Sequence, residues 1–229
     1  MSKPIHSIGC SVHTLQFFLN ILNAYGINAL VDVRSVPFSQ HSPQFNASVL
    51  QKSLSEIGIF YLPFGKEFGA RRSEPEVYTN GHVDFSKVSN HPNFQEGVRR
   101  INEGIKRNFS IAIMCTEKDP LNCHRFHLVT RELSRSLQLE VLHIDFNGNV
   151  ETNKQLEKRM LETLKLSPTL EILASVQLNF AEKLNQFQDP TERDKAQQAY
   201  VQYYLLNNAY QIYAQKVAFS NQKEDNMHE

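Results

Sequence analysis

IAIMCTEKDPLNCHR, residues Ile111 to Arg125, is the stretch whose reading decides the fold. Ile111 to Met114 is an unbroken apolar run, the pattern of a short strand covered on both faces, and Cys115 stands at its carboxyl end. Asp119-Pro120 then carries a helix-start signal: an aspartate to cap free N–H groups and a proline at the first helical position, where its missing N–H costs nothing. That reading puts Cys123, His124 and Arg125 in the first turn of a helix, where backbone N–H groups and the positive dipole end favour anions and lower a thiol pKa. A buried strand running through a polar turn into a helix is the repeating unit of a parallel α/β sheet.

Outward from that stretch the unit recurs. Lys3 to Gly9 reads as a first strand, with Ser11 placed to cap a helix carrying Leu15, Phe18, Leu19 and Leu22 before Gly26 ends it. Ala29 to Val33 is a second strand, apolar except for Asp32, and Arg34, Ser35 and Pro37 follow it as a polar loop. Asn46 can cap a helix with Val49, Leu50, Leu54 and Ile57, followed by Gly58 and a third strand from Ile59 to Leu62. From Pro63 to His91 no periodicity emerges, and a connection of that length reads as a lid or binding loop; it holds Lys66, Glu67, Arg71 and Arg72. Pro92 opens a helix with Phe94, Val98, Ile101 and Ile105 on one face, leading into the strand at Ile111. A last strand spans Glu140 to Ile144, and Asn147-Gly148-Asn149 is a turn. The expected fold is a mostly parallel five-stranded sheet with helices on both faces, covering residues 1–150.

Beyond Val150 the pattern is helical only. Ser167-Pro168 and Asp189-Pro190 repeat the cap-then-proline signature, and Leu170, Leu173, Phe180, Leu184 and Phe187 form an apolar stripe. The last helix is rich in tyrosine, with Tyr210 and Tyr213 on one face and Tyr200, Tyr203 and Tyr204 nearby. Residues 151–220 therefore read as a helical extension, with its tyrosines as core or homo-dimer contacts, and residues 221–229 as a disordered tail.

The chain has 229 residues, 41% hydrophobic and 21% charged, which is ordinary globular composition. Its opening residues hold too short an apolar run for a signal peptide, and no stretch approaches the ~18 apolar residues of a membrane span. A cytoplasmic protein without membrane contact is expected. Three cysteines, an odd number with no close-spaced pair, argue against a disulfide framework and for reduced thiols. Lys plus Arg equal Asp plus Glu at 24 each, so no bulk positive field draws the chain to nucleic acid, although a local patch remains open.

Ligands of an open parallel sheet bind beyond the carboxyl ends of its strands. That rule collects Cys10 and Ser11 after the first strand, Arg34 and Ser35 after the second, and Cys115, Glu117, Cys123, His124 and Arg125 after the fourth. Three chemistries can use such a set. A thiolate nucleophile at Cys115 or Cys123 suits a helix start, but Cys115 and Arg125 are too far apart for a compact phosphatase-type loop. A metal ion would need Cys10, Cys115, Cys123 and His124 to converge. Anion binding by Arg34, Arg71, Arg72 and Arg125 requires the least coincidence.

The motifs also resemble a known family. Ser7-Ile8-Gly9-Cys10-Ser11, Val31-Asp32-Val33-Arg34-Ser35-Val36-Pro37, the stretch from Phe64 to Arg72, and Cys115 to Arg125 are similar to the T-I-G-H-S, V-D-V-R-S-x-P, glycine- and arginine-bearing, and C-x-E-x-D-P-x-x-C-H-R segments of domain of unknown function family 488. Cys10 stands where that family usually has histidine. The resemblance implies a soluble α/β domain in which Arg34, Glu117, Cys123, His124 and Arg125 match the signature, and it implies no activity.

The functional expectation is an enzyme acting on a phosphorylated or otherwise anionic substrate, such as a nucleotide or nucleic-acid end. Arg34, Arg71, Arg72 and Arg125, with Ser11 and Ser35, would bind the anion; Glu117 and His124 would serve as acid and base; Cys115 or Cys123 would be nucleophile or support. No cofactor is required by the sequence, and a metal is compatible with it. The alternatives are a nucleic-acid- or partner-binding module without catalysis, and a Cys/His metal protein.

Overall fold

The computed structural model describes residues 3–10 and 13–219. Packing divides the chain into two units, residues 1–153 with 214–229, and residues 154–213. The first is the α/β unit. Its elements are β1 (Ile5–Gly9), α1 (Leu15–Ala24), β2 (Ala29–Asp32), α2 (Ala47–Glu56), β3 (Phe60–Pro63), α3 (Gly65–Phe68), β4 (Tyr78–Thr79), β5 (His82–Val83), α4 (Phe85–Asn90), α5 (Pro92–Lys106), β6 (Ile111–Cys115), α6 (Arg131–Leu137), β7 (Val141–Ile144) and β8 (Val150–Thr152). The main sheet has six strands in the order β3-β2-β6-β1-β7-β8. All neighbours are parallel except β8, which turns back antiparallel on β7.

The five parallel strands are the ones the apolar runs predict. β8 is an addition: Val150-Glu151-Thr152 carries no apolar run, and it forms because Asp145 closes the preceding turn by accepting from the N–H groups of Asn147 and Asn149. Side-chain alternation along the strands feeds two cores. Ile111, Ile113 and Cys115 of β6 join Val31 and Val33 on one face, and Ala112 and Met114 join Ile8, Cys10 and Leu30 on the other.

Helix boundaries follow capping chemistry, with three corrections: Asn46 precedes α2, but its side chain accepts from Ser39 N–H instead of capping the helix. Thr14, not Ser11, caps α1, its hydroxyl accepting from Phe17 N–H at 3.3 Å; Ser11 lies outside the described residues. Asp119 caps only a single 3₁₀ turn, Pro120–Asn122. The chain then extends at Cys123 and re-enters helix through a π-helical segment, Arg125–Thr130, ahead of α6. α2 ends as its sequence predicts, at a left-handed Gly58 with φ of 76° and the Ile59 N–H reaching back to Leu54 O.

The stretch from Pro63 to His91, read as a lid, is folded onto the sheet unit. Phe68, Val77, Val83 and Val88 are all buried in its core. Phe219 reaches the same region, its carbonyl accepting from Val83 N–H. Within this segment Asp84 caps α4, accepting from the N–H groups of Ser86 and Lys87. Partial burial pushes the Asp84 carboxyl up, but bonds from Ser86, Lys87 and Thr79 outweigh it and hold it below the usual value of 3.8. Asp84→Ala is expected to cost about 1 kcal/mol at neutral pH. Because the folded pKa is the lower one, this contribution is complete above the unfolded value and vanishes as pH falls through the folded one. Urea midpoints of parent and variant should therefore converge in acid; a gap that persists there would show that the cap acts through something other than its charge.

The second unit holds the rest of α7 (Asn153–Thr163), α8 (Leu170–Leu184) and most of α9 (Pro190–Val217). Thr169 caps α8 and Asp189 caps α9. Val176, Val201 and Leu205 form its core with Phe180, Tyr200 and Tyr204 around them. Phe180 stacks on Tyr200 at 4.3 Å between ring centroids. Tyrosines are thus largely internal to this unit, although Tyr203 is exposed. The expected tail, residues 221–229, lies outside the described residues. No helix among the described residues is long and apolar enough to cross a membrane.

Candidate functional site

The carboxyl ends of β1, β2 and β6 meet at the segment from Cys115 to Arg125. Cys115 is the last residue of β6, paired with Gly9 of β1. Eight positions later the chain returns through the 3₁₀ turn, and Cys123 takes an extended conformation at the mouth of the next helix. Its carbonyl accepts from Phe126 N–H and its sulfur from Arg125 N–H at 3.4 Å, so the thiol itself caps the helix start. His124 follows. Its Nδ1 lies 3.8 Å from Cys115 Sγ and 4.0 Å from Cys123 Sγ, and the three donor atoms all fall within 4.8 Å of one another.

The orientation of His124 is fixed from behind. Its Nε2 lies 3.2 Å from the carbonyl oxygen of Val33. A carbonyl can only accept, so Nε2 carries a hydrogen, and in the neutral form of the ring Nδ1 presents its lone pair to the two sulfurs. Val33 is bracketed by Asp32 and Arg34, whose side chains form a buried bidentate pair: Arg34 Nε to Asp32 Oδ1 at 2.9 Å and Nη2 to Oδ2 at 2.6 Å. Tyr61 donates to the same carboxylate at 2.7 Å, and Arg34 also donates to Phe45 O. Burial and the adjacent Asp32 charge push the Tyr61 phenol up, while for Arg34 the bond to Asp32 overcomes the penalty of burial.

Glu117 and Arg125 complete the wall. Cys123 Sγ donates to Glu117 Oε2 at 2.8 Å. Arg125 is fully buried, and its Nη1 and Nη2 donate to the carbonyls of Glu117 and Lys118 at 2.6 and 3.3 Å. The loop passes so close to β1 that a Cβ on Gly9 would stand 2.0 Å from Glu117 O. The bond to Cys123, then burial, pushes the Cys115 thiol up. Burial opposes charge on Cys123, but the Cys115 bond, Arg125 and His124 bring its thiol well below the ordinary value. Burial and the Cys123 charge raise Glu117; for His124, contact with Cys123 and Glu117 overrides burial and raises it too.

Other residues expected at the site are elsewhere. Cys10 belongs to the core on the opposite face, where burial pushes its thiol up to about 12, and the compact donor group among the described residues does not include it. The arginines are each held by internal partners. Arg34 sits with Asp32, Tyr61 and Phe45 on the Cys10 side, Arg125 is committed to loop carbonyls on the other, and Arg72 donates to the carbonyls of Lys66 and Glu67 and to Glu74. The Arg71 guanidinium lies over the Phe219 ring, and Ser35 Oγ accepts from Arg71 N–H. Gly9, the Val33 carbonyl and Tyr61 are site-supporting groups that the spacing of charged residues did not reveal; the glycine of the Ser7–Ser11 motif was the one available signal.

Comparison with known families gives one match. The family described as Domain of unknown function DUF488 matches residues 14–131, a little more than half of the 229-residue chain. The matched span runs from α1 through the π-helical segment and so takes in Asp32, Arg34, Cys115, Glu117 and Cys123 to Arg125. No curated protein and no solved structure matches. The chain belongs to the family of Domain of unknown function DUF488.

Proposed function

We propose that this protein binds a thiophilic divalent metal ion, of the zinc class, through Cys115 Sγ, Cys123 Sγ and His124 Nδ1. The observation that carries this is the locked imidazole: its Nδ1 lone pair faces two sulfurs while its other nitrogen donates to a backbone carbonyl, the outer-shell arrangement typical of metal-bound histidine. Donors at 2.0–2.3 Å from a tetrahedral ion stand roughly 3.5 Å apart, so the sulfur-to-nitrogen separations of 3.8 and 4.0 Å need only a small contraction. Two sulfurs and one imidazole select a borderline-soft ion over magnesium or calcium. The anionic-substrate reading draws less support, because the guanidinium groups of Arg34, Arg72 and Arg125 are engaged by internal acceptors.

The test is metal content of the full chain purified without an affinity tag. About one equivalent of zinc-class metal is expected, falling below a tenth in Cys123→Ser and His124→Ala while Cys10→Ser retains it. Metal well below one equivalent, with all three thiols titrating freely, would overturn the reading. A second reading, Cys123 as a nucleophile, is favoured by its place at a helix start. It predicts that iodoacetamide labels Cys123 at neutral pH equally fast with and without added zinc, whereas metal binding predicts protection.

A further inference from the structure

We infer that this metal centre, if the reading above holds, keeps one exchangeable coordination position, that Glu117 fills it at rest, and that small ligands with an anionic head displace the Glu117 carboxylate there. The three buried donors are fixed. Cys115 ends a strand flanked on both sides by parallel neighbours, Cys123 is held by the helix start it caps, and His124 is held by Val33 O. All three are buried, at 3%, 1% and 6% exposure. Glu117 differs. It is only partly buried and lies between exposed Thr116 and Lys118, so it is the side of the cluster that faces solvent. Its backbone is clamped by Arg125 against Gly9, whereas its carboxylate accepts from Cys123 Sγ. A metal held by the two sulfurs and His124 draws that carboxylate in from just outside the compact three-donor group, by a turn of a side chain with its own rotamer freedom.

Charge sets the class of ligand. A divalent ion with two thiolates and a neutral imidazole is uncharged in sum, and beside it stands the fully buried guanidinium of Arg125. A buried charge needs a compensating partner, and one negative charge at the fourth position provides it. Glu117 supplies that charge in the resting protein. A monoanionic carboxylate, phosphate or pseudohalide replaces it with no change in net charge, while a neutral ligand leaves Arg125 uncompensated. The position is therefore selective for oxygen- or nitrogen-donor anions, in the manner of open three-ligand metal sites.

Cobalt(II) provides the readout. The full chain loaded with one equivalent of Co²⁺ should show thiolate-to-cobalt charge transfer and visible d–d bands, and sodium azide should shift the d–d bands saturably. Glu117→Gln, which removes the competing charge with little change of shape, should bind azide at least about tenfold more tightly. Cobalt bands that azide leaves unchanged overturn this inference and leave the metal site standing as a closed structural one. Equal azide affinity in parent and Glu117→Gln overturns the role of Glu117. Absence of the thiolate-to-cobalt band overturns the metal reading itself.

Discussion

Asp32→Ala is expected to lower folding stability by about 3–5 kcal/mol, the cost of leaving a buried charge without its partner. Asp32 and Arg34 side chains are 1% and 6% exposed, so water cannot replace the lost carboxylate. The same carboxylate also accepts from Tyr61 and from the Arg34 backbone N–H, so three donors are stranded at once. Asp32→Ala/Arg34→Met should recover part of the loss, because the double variant buries no unpaired charge and leaves the Tyr61 hydroxyl, the backbone N–H at position 34 and the Phe45 carbonyl unsatisfied. Urea unfolding of the three proteins measures both effects. A single-variant loss under about 1 kcal/mol, the range of an exposed ion pair, would mean that the pair is solvated in solution.

This pair also explains the order Val31-Asp32-Val33-Arg34. Asp32 and Arg34 close one face, and Val33 between them turns its side chain into the other core and its carbonyl toward His124. The alternation of a strand thus lets one short motif seal the sheet and orient a donor on the far side. Sequence reading identified the motif and the convergence of strand ends, because apolar runs and cap-proline signals are local. It could not tell whether a guanidinium faces solvent or a carbonyl. That depends on chain segments far apart in sequence, as with Arg34 on Phe45 O or Arg72 on Lys66 O.

The same limit applies to the cysteines. All three follow strands, yet register separates them: Gly9 pairs with Cys115, so Cys10 continues the face of Ile8 and points to the other core. Cys123 reaches Cys115 only because Asp119-Pro120 makes a single 3₁₀ turn instead of starting the helix. Had the helix begun at Pro120, Cys123 would have ridden on it with an intact N–H-to-carbonyl ladder, and its thiol could not have capped the helix start. The sequence signal for a helix was sound; what it lacked was the tertiary demand that the chain stretch once more at Cys123 before coiling.

Arg125→Leu should be the most damaging single change at the loop, costing about 2–5 kcal/mol and abolishing stoichiometric metal binding. Leucine fills part of the volume but donates nothing, which strands the Glu117 and Lys118 carbonyls at roughly 1–3 kcal/mol each where they are buried. On the proposed metal reading it also removes the positive charge that would balance two thiolates and a carboxylate around one divalent ion. Gly9→Ala attacks the same loop from the opposite side, since its methyl would meet Glu117 O at 2.0 Å and the strand pairing of β1 prevents retreat. That substitution is expected to cost about 1–3 kcal/mol and to weaken metal binding by about 10–100-fold, the usual effect of displacing outer-shell support. Because both changes release one loop, the double variant should lose less than the sum of the two. Metal titration and urea unfolding of the set decide the matter: additive losses, or full metal occupancy in Arg125→Leu, would mean that Glu117 and its loop are held in place by contacts other than these two.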